Sequence, residues 1–141
     1  MRNSLCFLMI GMFVGLCGCA GAEPGIKVSC DDFYAEGTRS GMVELASGER
    51  LELVLCSNPT TGFKWDDQAE ISEPAVLEQV AVAFEEPAAS EDKALAGAPG
   101  AQKWTFQGMG TGSTQVVLTY SQPWEGGEKN AWTYTLSVTV R

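Results

Sequence analysis

The amino-acid sequence predicts an all-β fold, a β-sandwich of about eight strands. Short runs of alternating apolar and polar residues return at spacings of about ten residues, as they do along the strands of a sandwich. No segment sustains the apolar spacing of an amphipathic helix. The last run shows the alternation most clearly, with apolar side chains on one face and hydroxyl side chains on the other: Tyr134, Leu136, Val138 and Val140 against Thr133, Thr135, Ser137 and Thr139.

The predicted strands follow one another between Gly, Pro and acidic residues. In chain order they are IKVSC, GMVELA, RLELVLC, GFKWD, VLEQVAVAF, QKWTFQG, TQVVLTYS and AWTYTLSVTV. Trp65 and Trp104 each lie within an alternating run, so we expect both in the core, Trp65 in the manner of the inner tryptophan of an immunoglobulin-type strand.

Residues 1–18 are predicted to be a lipoprotein signal peptide. Arg2 precedes an apolar stretch over residues 5–16, which is too short for a stable membrane span. The stretch ends in Leu16-Cys17-Gly18-Cys19, a pattern that resembles a bacterial lipobox and predicts cleavage before a lipidated Cys19. Simple signal cleavage near Ala20 or Ala22, without lipid, is the alternative. Residues 19–25 then form the lipidated cysteine and its tether, and residues 26–141 form one domain.

Charge and targeting together restrict the partners and the location. The formal net charge is −9, and loss of Arg2 with the leader would make it −10. This charge, without any Lys/Arg cluster, excludes nucleic acid as a partner. We expect an exported monomer that contacts the membrane through its lipid anchor only, in a bacterial cell envelope, at the outer membrane or the periplasmic face.

Two cysteines remain in the predicted domain, Cys30 and Cys56. In an oxidising compartment such a pair usually forms a disulfide, and we expect it to join neighbouring strands away from the loop tips. A pair of buried free thiols is the alternative.

The composition argues against an enzyme. The sequence contains no histidine, which removes Ser-His-Asp and Cys-His catalysis and most catalytic zinc sites. We therefore expect no catalytic residues, no metal and no cofactor. Neighbouring residues of a strand point to opposite faces, so four pairs of adjacent acidic residues are interpreted as solvated surface: Asp31-Asp32, Asp66-Asp67, Glu85-Glu86 and Glu91-Asp92.

Three connections between the predicted strands are distinctive. In CSNPTTGFKW, Asn58, Pro59 and Gly62 would hold two threonines on a stiff, displayed loop, although an ordinary turn is also compatible with these residues. Residues 85–101 form an unusually long connection that ends in GAPG. Residues 120–127 carry Trp124, either as an exposed anchor for a partner or as a cap on the core. In a sandwich, such loops emerge at one end and form a binding edge.

These pieces resemble the chagasin-type inhibitors of papain-like cysteine peptidases. The resemblance is carried by Asn58-Pro-Thr-Thr-Gly-Phe-Lys-Trp65, by a glycine-containing loop before Lys103-Trp-Thr-Phe106, and by Tyr120-Ser-Gln-Pro-Trp-Glu125 ahead of the last strand. It covers about residues 40–141 and implies an immunoglobulin-like sandwich that blocks the peptidase cleft reversibly and without a covalent bond.

The resemblance also implies roles for the residues of the three loops. The first loop enters the cleft, with Thr60 nearest the catalytic cysteine and histidine, and the other two loops grip the cleft on either side. Trp124 stacks on an aromatic side chain of the enzyme, and Gln122 stands where the family commonly carries arginine. The expected site is a first loop of Asn58, Pro59, Thr60, Thr61, Gly62 and Phe63, a second of Gly97, Ala98, Pro99 and Gly100, and a third of Gln122, Pro123 and Trp124.

Two other interpretations stay open at this point. The first is a cell-envelope lipoprotein of the same fold that binds a partner other than a peptidase. The second is a structural envelope lipoprotein, whose function would survive deletion of the loop tips.

Overall fold

The structure, a computed structural model, describes residues 22–87 and 97–141. The signal peptide and Cys19 lie outside these residues, as do Ala20 and the acidic pair Glu91-Asp92. In the described residues the chain forms β1 (Gly25–Val28), α1 (Cys30–Ala35), β2 (Thr38–Leu45), β3 (Arg50–Ser57), a 3₁₀ turn (Pro59–Thr61), β4 (Lys64–Trp65), β5 (Glu70–Ile71), β6 (Leu77–Glu85), β7 (Gly100–Gly108), β8 (Gly112–Ser121) and β9 (Trp132–Val140).

The strands form two packed sheets, so the predicted all-β, immunoglobulin-like sandwich is confirmed. One sheet has the order β1-β3-β7-β6, and the other has β2-β9-β8-β4, with β5 also paired to β8. β1 is parallel to β3 and β2 is parallel to β9, whereas the other pairs are antiparallel. The described residues hold nine strands rather than about eight, since the two-residue strand β5 is too short for alternation to reveal.

The core lies between the sheets and contains the two tryptophans that the sequence placed there. Trp65 and Trp104 are 1% and 0% exposed, and their rings meet edge to face with centroids 6.2 Å apart. Each indole N–H has an acceptor, the carbonyl of Cys56 for Trp65 (2.8 Å) and that of Asp66 for Trp104 (3.2 Å). Both rings are therefore buried without an unpaired donor.

The N-terminal segment departs from the expected single strand. β1 begins at Gly25, one residue inside the predicted tether, and ends at Val28, where Ser29 caps α1. The Ser29 hydroxyl accepts from the amide of Asp32, and the Asp32 carboxylate accepts from the amide of Ser29, which is a reciprocal capping box. Asp32 is thus part of the local fold rather than simply solvated surface.

Cys30 and Cys56 are joined as a disulfide, with Cα atoms 5.1 Å apart. The expected placement on neighbouring strands, remote from the loop tips, was wrong. Cys30 is the first residue of α1, and Cys56 lies in β3 two residues before Asn58. The bond therefore attaches α1 to the strand that leads into the first loop.

Four connections emerge at the same end of the sandwich, here called the tip end. β3 finishes at Ser57 opposite Gly100, where β7 starts, and β8 finishes beside Lys64 of β4. β1 runs parallel to β3, so the β1–β2 connection, which contains α1, also lies at this end. The turn around Gly48 and the one between β7 and β8 lie at the opposite end, where the amide of Gly48 donates to the carbonyl of Gly108.

Loss of the disulfide should lower stability substantially. In the chain-entropy account, a cross-link across 26 positions restricts the unfolded chain by about 3 kcal/mol, which for a domain of this size corresponds to roughly 10 °C in Tm. We expect Cys30→Ala/Cys56→Ala to show this decrease in thermal unfolding, and a reductant to reproduce it in the wild type only. An unchanged Tm in both experiments would contradict the bond.

Candidate functional site

The backbone of Asn58 begins the first loop and is attached to the core. Its amide donates to the Tyr120 hydroxyl (2.9 Å), and its carbonyl accepts from the amide (3.2 Å) and the hydroxyl (2.7 Å) of Thr61. Pro59, at the first position of the 3₁₀ turn, needs no backbone donor there. The loop is therefore an ordered turn rather than a flexible link, as the sequence indicated.

The side chain of Asn58 connects the first loop to the second. Its Oδ1 accepts from the amide (3.3 Å) and the hydroxyl (2.6 Å) of Thr60. Its Nδ2 donates to the carbonyl of Gly97 (3.2 Å). An aspartate could not make the last bond, since an ionised carboxylate only accepts. The single side-chain amide of Asn58 thus accepts hydrogen bonds from the first loop and donates one to the second.

Gly62 ends the first loop and supports the third. It adopts φ = 82°, which only glycine reaches without strain, and its amide donates to the carbonyl of Pro59 (3.1 Å). A Cβ built on Gly62 would lie 2.6 Å from Cη2 of Trp124. The glycine is therefore required both by the backbone conformation and by the indole ring that covers it.

Trp124 is not buried in the core, as a cap on it would be. Half of it, 51%, is exposed, and its ring lies against Gly62. Its carbonyl accepts from Lys129 Nζ (3.0 Å) and from the amide of Gly127 (3.2 Å). The third loop therefore presents part of the indole to solvent, while another part of the ring lies against Gly62 of the first loop.

Gln122 has a structural role within the third loop. Its Oε1 accepts from the amide of Glu128 (2.8 Å), and its own amide donates to the carbonyl of that residue (2.8 Å). Lys129 Nζ also donates to the carbonyl of Gln122. An arginine at this position could not accept the Glu128 bond, so the glutamine closes the loop on itself.

The second loop is described from Gly97 onward. Gly97 has φ = 88° and lies beside Thr60, whereas Gly100, expected in the loop, is the first residue of β7. A Cβ at Gly100 would lie 2.4 Å from the carbonyl of Glu85 and 2.6 Å from the Phe84 ring. Close packing of β6 on β7 thus accounts for this glycine. Among the loop's expected residues, Gly97 makes the bond to the first loop, and Ala98 and Pro99 precede β7.

The acidic pair Asp66-Asp67, interpreted from the sequence as solvated surface, cross-links the strands below the first loop. Asp66 accepts from the amide and hydroxyl of Thr119 (3.1 and 2.6 Å). Asp67 accepts from Lys64 (2.6 Å) and Gln102 (3.0 Å), and the Lys64 bond is the main cause that lowers the pKa of Asp67. The small stabilisation that the ionised Asp67 gains from Lys64 is therefore present at neutral pH and is lost as the pH falls through that lowered pKa.

An aromatic row, which the sequence analysis missed, supports the same end. Phe63 stacks on Tyr120 with centroids 5.6 Å apart, and Tyr120 stacks on Trp132 at 4.6 Å. The strand register predicts part of this row, because Tyr120 and Trp132 are directly paired between β8 and β9. The Tyr120 hydroxyl that holds Asn58 is thus itself fixed from both sides.

A stiff three-loop edge on an immunoglobulin-like sandwich defines a protein-binding module, and comparison with known proteins identifies its family. Residues 44–138 match the chagasin family of peptidase inhibitors. The match spans the three loops and leaves β1 and α1 outside it. The chain belongs to this family and is an inhibitor rather than an enzyme.

Individual relatives agree with the family match. Chagasin of Trypanosoma cruzi is 33% identical over 92 residues, 65% of this chain and 82% of the relative. Amoebiasin-1 of Entamoeba histolytica is 29% identical over 106 residues, 75% of this chain and 96% of the relative.

Two solved structures share the fold. A cysteine protease inhibitor from Entamoeba histolytica aligns with a TM-score of 0.61 and 21% identity, covering 86% of this chain and all of that one. PbICP-C, solved in complex with falcipain-2, aligns with a TM-score of 0.54 and 18% identity, covering 84% of this chain and 99% of its own.

Gly62→Val should weaken inhibition far more than a matched change elsewhere. A β-branched residue at φ = 82° is strained, and its side chain would displace Trp124. Gly48 has nearly the same φ, 84°, but a Cβ there would meet nothing within 4 Å, and it lies at the opposite end. Gly48→Val should therefore share the backbone cost of about 1–2 kcal/mol in unfolding free energy while leaving the inhibition constant unchanged. Equal inhibition constants for the two variants would remove Gly62 from the site.

Trp124→Ala separates binding from stability. Because half of the ring is exposed, we expect a loss of about 1 kcal/mol or less in unfolding free energy but of about 2 kcal/mol in binding, close to 30-fold in inhibition constant. Met109, 48% exposed in the turn between β7 and β8, provides the control, and Met109→Ala should leave inhibition unchanged. A large decrease in Tm with unchanged inhibition per folded molecule would assign Trp124 to the core instead.

Proposed function

We propose that the protein inhibits papain-like cysteine peptidases by inserting its first loop into the active-site cleft, with Thr60 nearest the catalytic groups. The observation that carries the proposal is the bonding of Asn58, which orders Thr60 and Thr61 on an exposed turn before any partner is bound. Chagasin is a relative of this chain, and the fold is shared by a cysteine protease inhibitor from Entamoeba histolytica and by PbICP-C, which was solved in complex with falcipain-2.

The ordered loop suits an inhibitor for two physical reasons. Little conformational entropy is lost on docking when the loop already has its bound shape, so more of the contact energy appears as affinity. A peptide held in a tight 3₁₀ turn by its own hydrogen bonds is also a poor substrate, since it resists the extended conformation that cleavage requires. Inhibition of this kind is reversible and leaves both proteins intact.

The other two loops enlarge the contact on either side of the first. The Gly97 carbonyl and the Trp124 ring are each in direct contact with the first loop, so the three present one continuous surface. An interface of standard size supports nanomolar affinity, about −12 kcal/mol. The exposed half of Trp124 provides the aromatic surface typical of an energetic centre in such an interface.

An inhibition assay against papain and a cathepsin L type enzyme tests the proposal. We expect tight, reversible, one-to-one inhibition by the wild type, and its loss in Thr60→Arg, which would place a bulky cation against the catalytic pair. Thr111→Arg, in the turn between β7 and β8, controls for the added charge and should inhibit like wild type. Cleavage of the inhibitor during incubation, a covalent adduct in intact mass, or no inhibition at all would contradict the proposal.

The same protein is proposed to be a lipoprotein of a bacterial cell envelope, anchored through Cys19. The sequence pattern around Cys19 supports this. Gly25 lies at the start of β1, which runs toward the tip end in parallel with β3, so a tether ahead of it would leave from the far side of the domain. The binding edge would then face away from the membrane. In the described residues, no helix is long and apolar enough to span a bilayer.

Replacing Cys19 by Ser should release the protein from the membrane. Without the thiol no diacylglyceryl group can be attached, and we expect the variant in the aqueous phase of a detergent partition while the wild type stays in the detergent phase. Cys30→Ser, which keeps the lipobox, is the control and should partition like wild type. Equal partitioning of Cys19→Ser and wild type would contradict the lipid anchor.

A further inference from the structure

The β1–β2 connection lies at the tip end together with the three loops, and it contains α1. This segment precedes residues 44–138, which match the family. A segment at the edge of a binding surface can contribute to binding only if it is held in place and offers a surface of suitable chemistry. α1 meets both conditions.

Two kinds of contact hold α1 against the domain, and a capping box fixes its start. Its first residue is bonded to Cys56 in β3, and the Ser29–Asp32 capping box fixes its start. Phe33, 1% exposed, lies between Trp65 and Trp132 at centroid distances of 5.3 and 5.0 Å. The helix is therefore ordered without a partner, although six residues alone would not form a stable helix.

A groove separates α1 from the first loop. It has a volume of about 250 Å³ and is lined by Tyr34 and Trp132 on one side and by Thr61 and Phe63 of the first loop on the other. Among the described residues that line it, none is charged. Tyr34 is 69% exposed, and its ring meets Trp132 edge-on at 5.4 Å.

The size and chemistry of the groove favour one kind of occupant. It is smaller than typical small-molecule sites, which begin at about 300 Å³, so it suits a single side chain. Its uncharged, largely aromatic lining favours an apolar side chain over a charged one. Because Thr61 belongs to both the groove and the first loop, a protein that contacts the loop also reaches the groove.

We propose that α1 is a fourth element of the binding edge and that the groove beside it receives one apolar side chain from the rim of the peptidase cleft. The proposal rests on the proposed function, since it extends the same interface. Tyr34 is then an affinity and specificity determinant. Peptidases with an apolar residue at this point of the rim are bound more tightly than those with a charged one.

Two variants test the groove. Tyr34→Ala removes one side of it, and Ala131→Leu, at another lining residue, fills it. Each should raise the inhibition constant about tenfold, mainly through faster dissociation. Tyr34→Ala should change Tm little because Tyr34 is mostly exposed. Met42→Ala is the matched control, as Met42 is a large apolar side chain 87% exposed on β2, and it should inhibit like wild type.

The outcomes separate this proposal from the function on which it rests. If wild type inhibits and Thr60→Arg does not, while Tyr34→Ala and Ala131→Leu both keep wild-type inhibition constants, the function stands and the fourth element is wrong. If wild type inhibits no papain-like peptidase, both are wrong. Weaker inhibition by both groove variants, with normal Tm and an unaffected Met42→Ala control, supports the fourth element.

Discussion

The binding edge depends on Asn58, whose hydrogen-bonding groups are all used within the protein. Its backbone amide reaches the Tyr120 hydroxyl, its carbonyl receives both donors of Thr61, and its side chain joins Thr60 to Gly97. One residue thus couples the core, the first loop and the second loop. These bonds fix the shape of the turn around Thr60 and Thr61.

The region below Asn58 is stiff for a separate reason, which is aromatic packing. Tyr120 is stacked between Phe63 and Trp132, and Trp132 is in turn stacked on Phe33 of α1. The Tyr120 hydroxyl that accepts from the Asn58 amide is therefore itself held in place. A small acidic inhibitor can in this way present a rigid surface from loops whose first member is a three-residue 3₁₀ turn.

The sequence predicted the sandwich and the first loop because both leave strong local patterns. The alternation in β9 has a period that only a strand produces, and the Asn-Pro and Gly residues around Thr60 specify a turn by their own backbone preferences. The two-residue strand β5 is too short to leave such a pattern. The parallel pairing of β1 with β3 and of β2 with β9 leaves none either, since pairing partners are distant in sequence.

α1 and the position of the disulfide were missed for related reasons. Six residues are too few to show helical periodicity, and the capping residues Ser29 and Asp32 were the only available signal. The contact of the half-exposed Trp124 ring with Gly62 was not anticipated either. Contacts between loops depend on how strands of different sheets end beside one another, which no local pattern specifies.

Amide hydrogen exchange in the free protein tests the central claim, that the first loop has its binding shape before it meets a partner. The amides of Thr60, Thr61 and Gly62 each have an acceptor within the loop, at 3.3, 3.2 and 3.1 Å. They should exchange more slowly than the same amides in an unstructured peptide of this sequence, and Asn58→Ala should reduce the protection most at Thr60, whose acceptor is the Asn58 side chain. Exchange at the rates of the unstructured peptide in the free protein, with protection appearing only in a peptidase complex, would contradict the account.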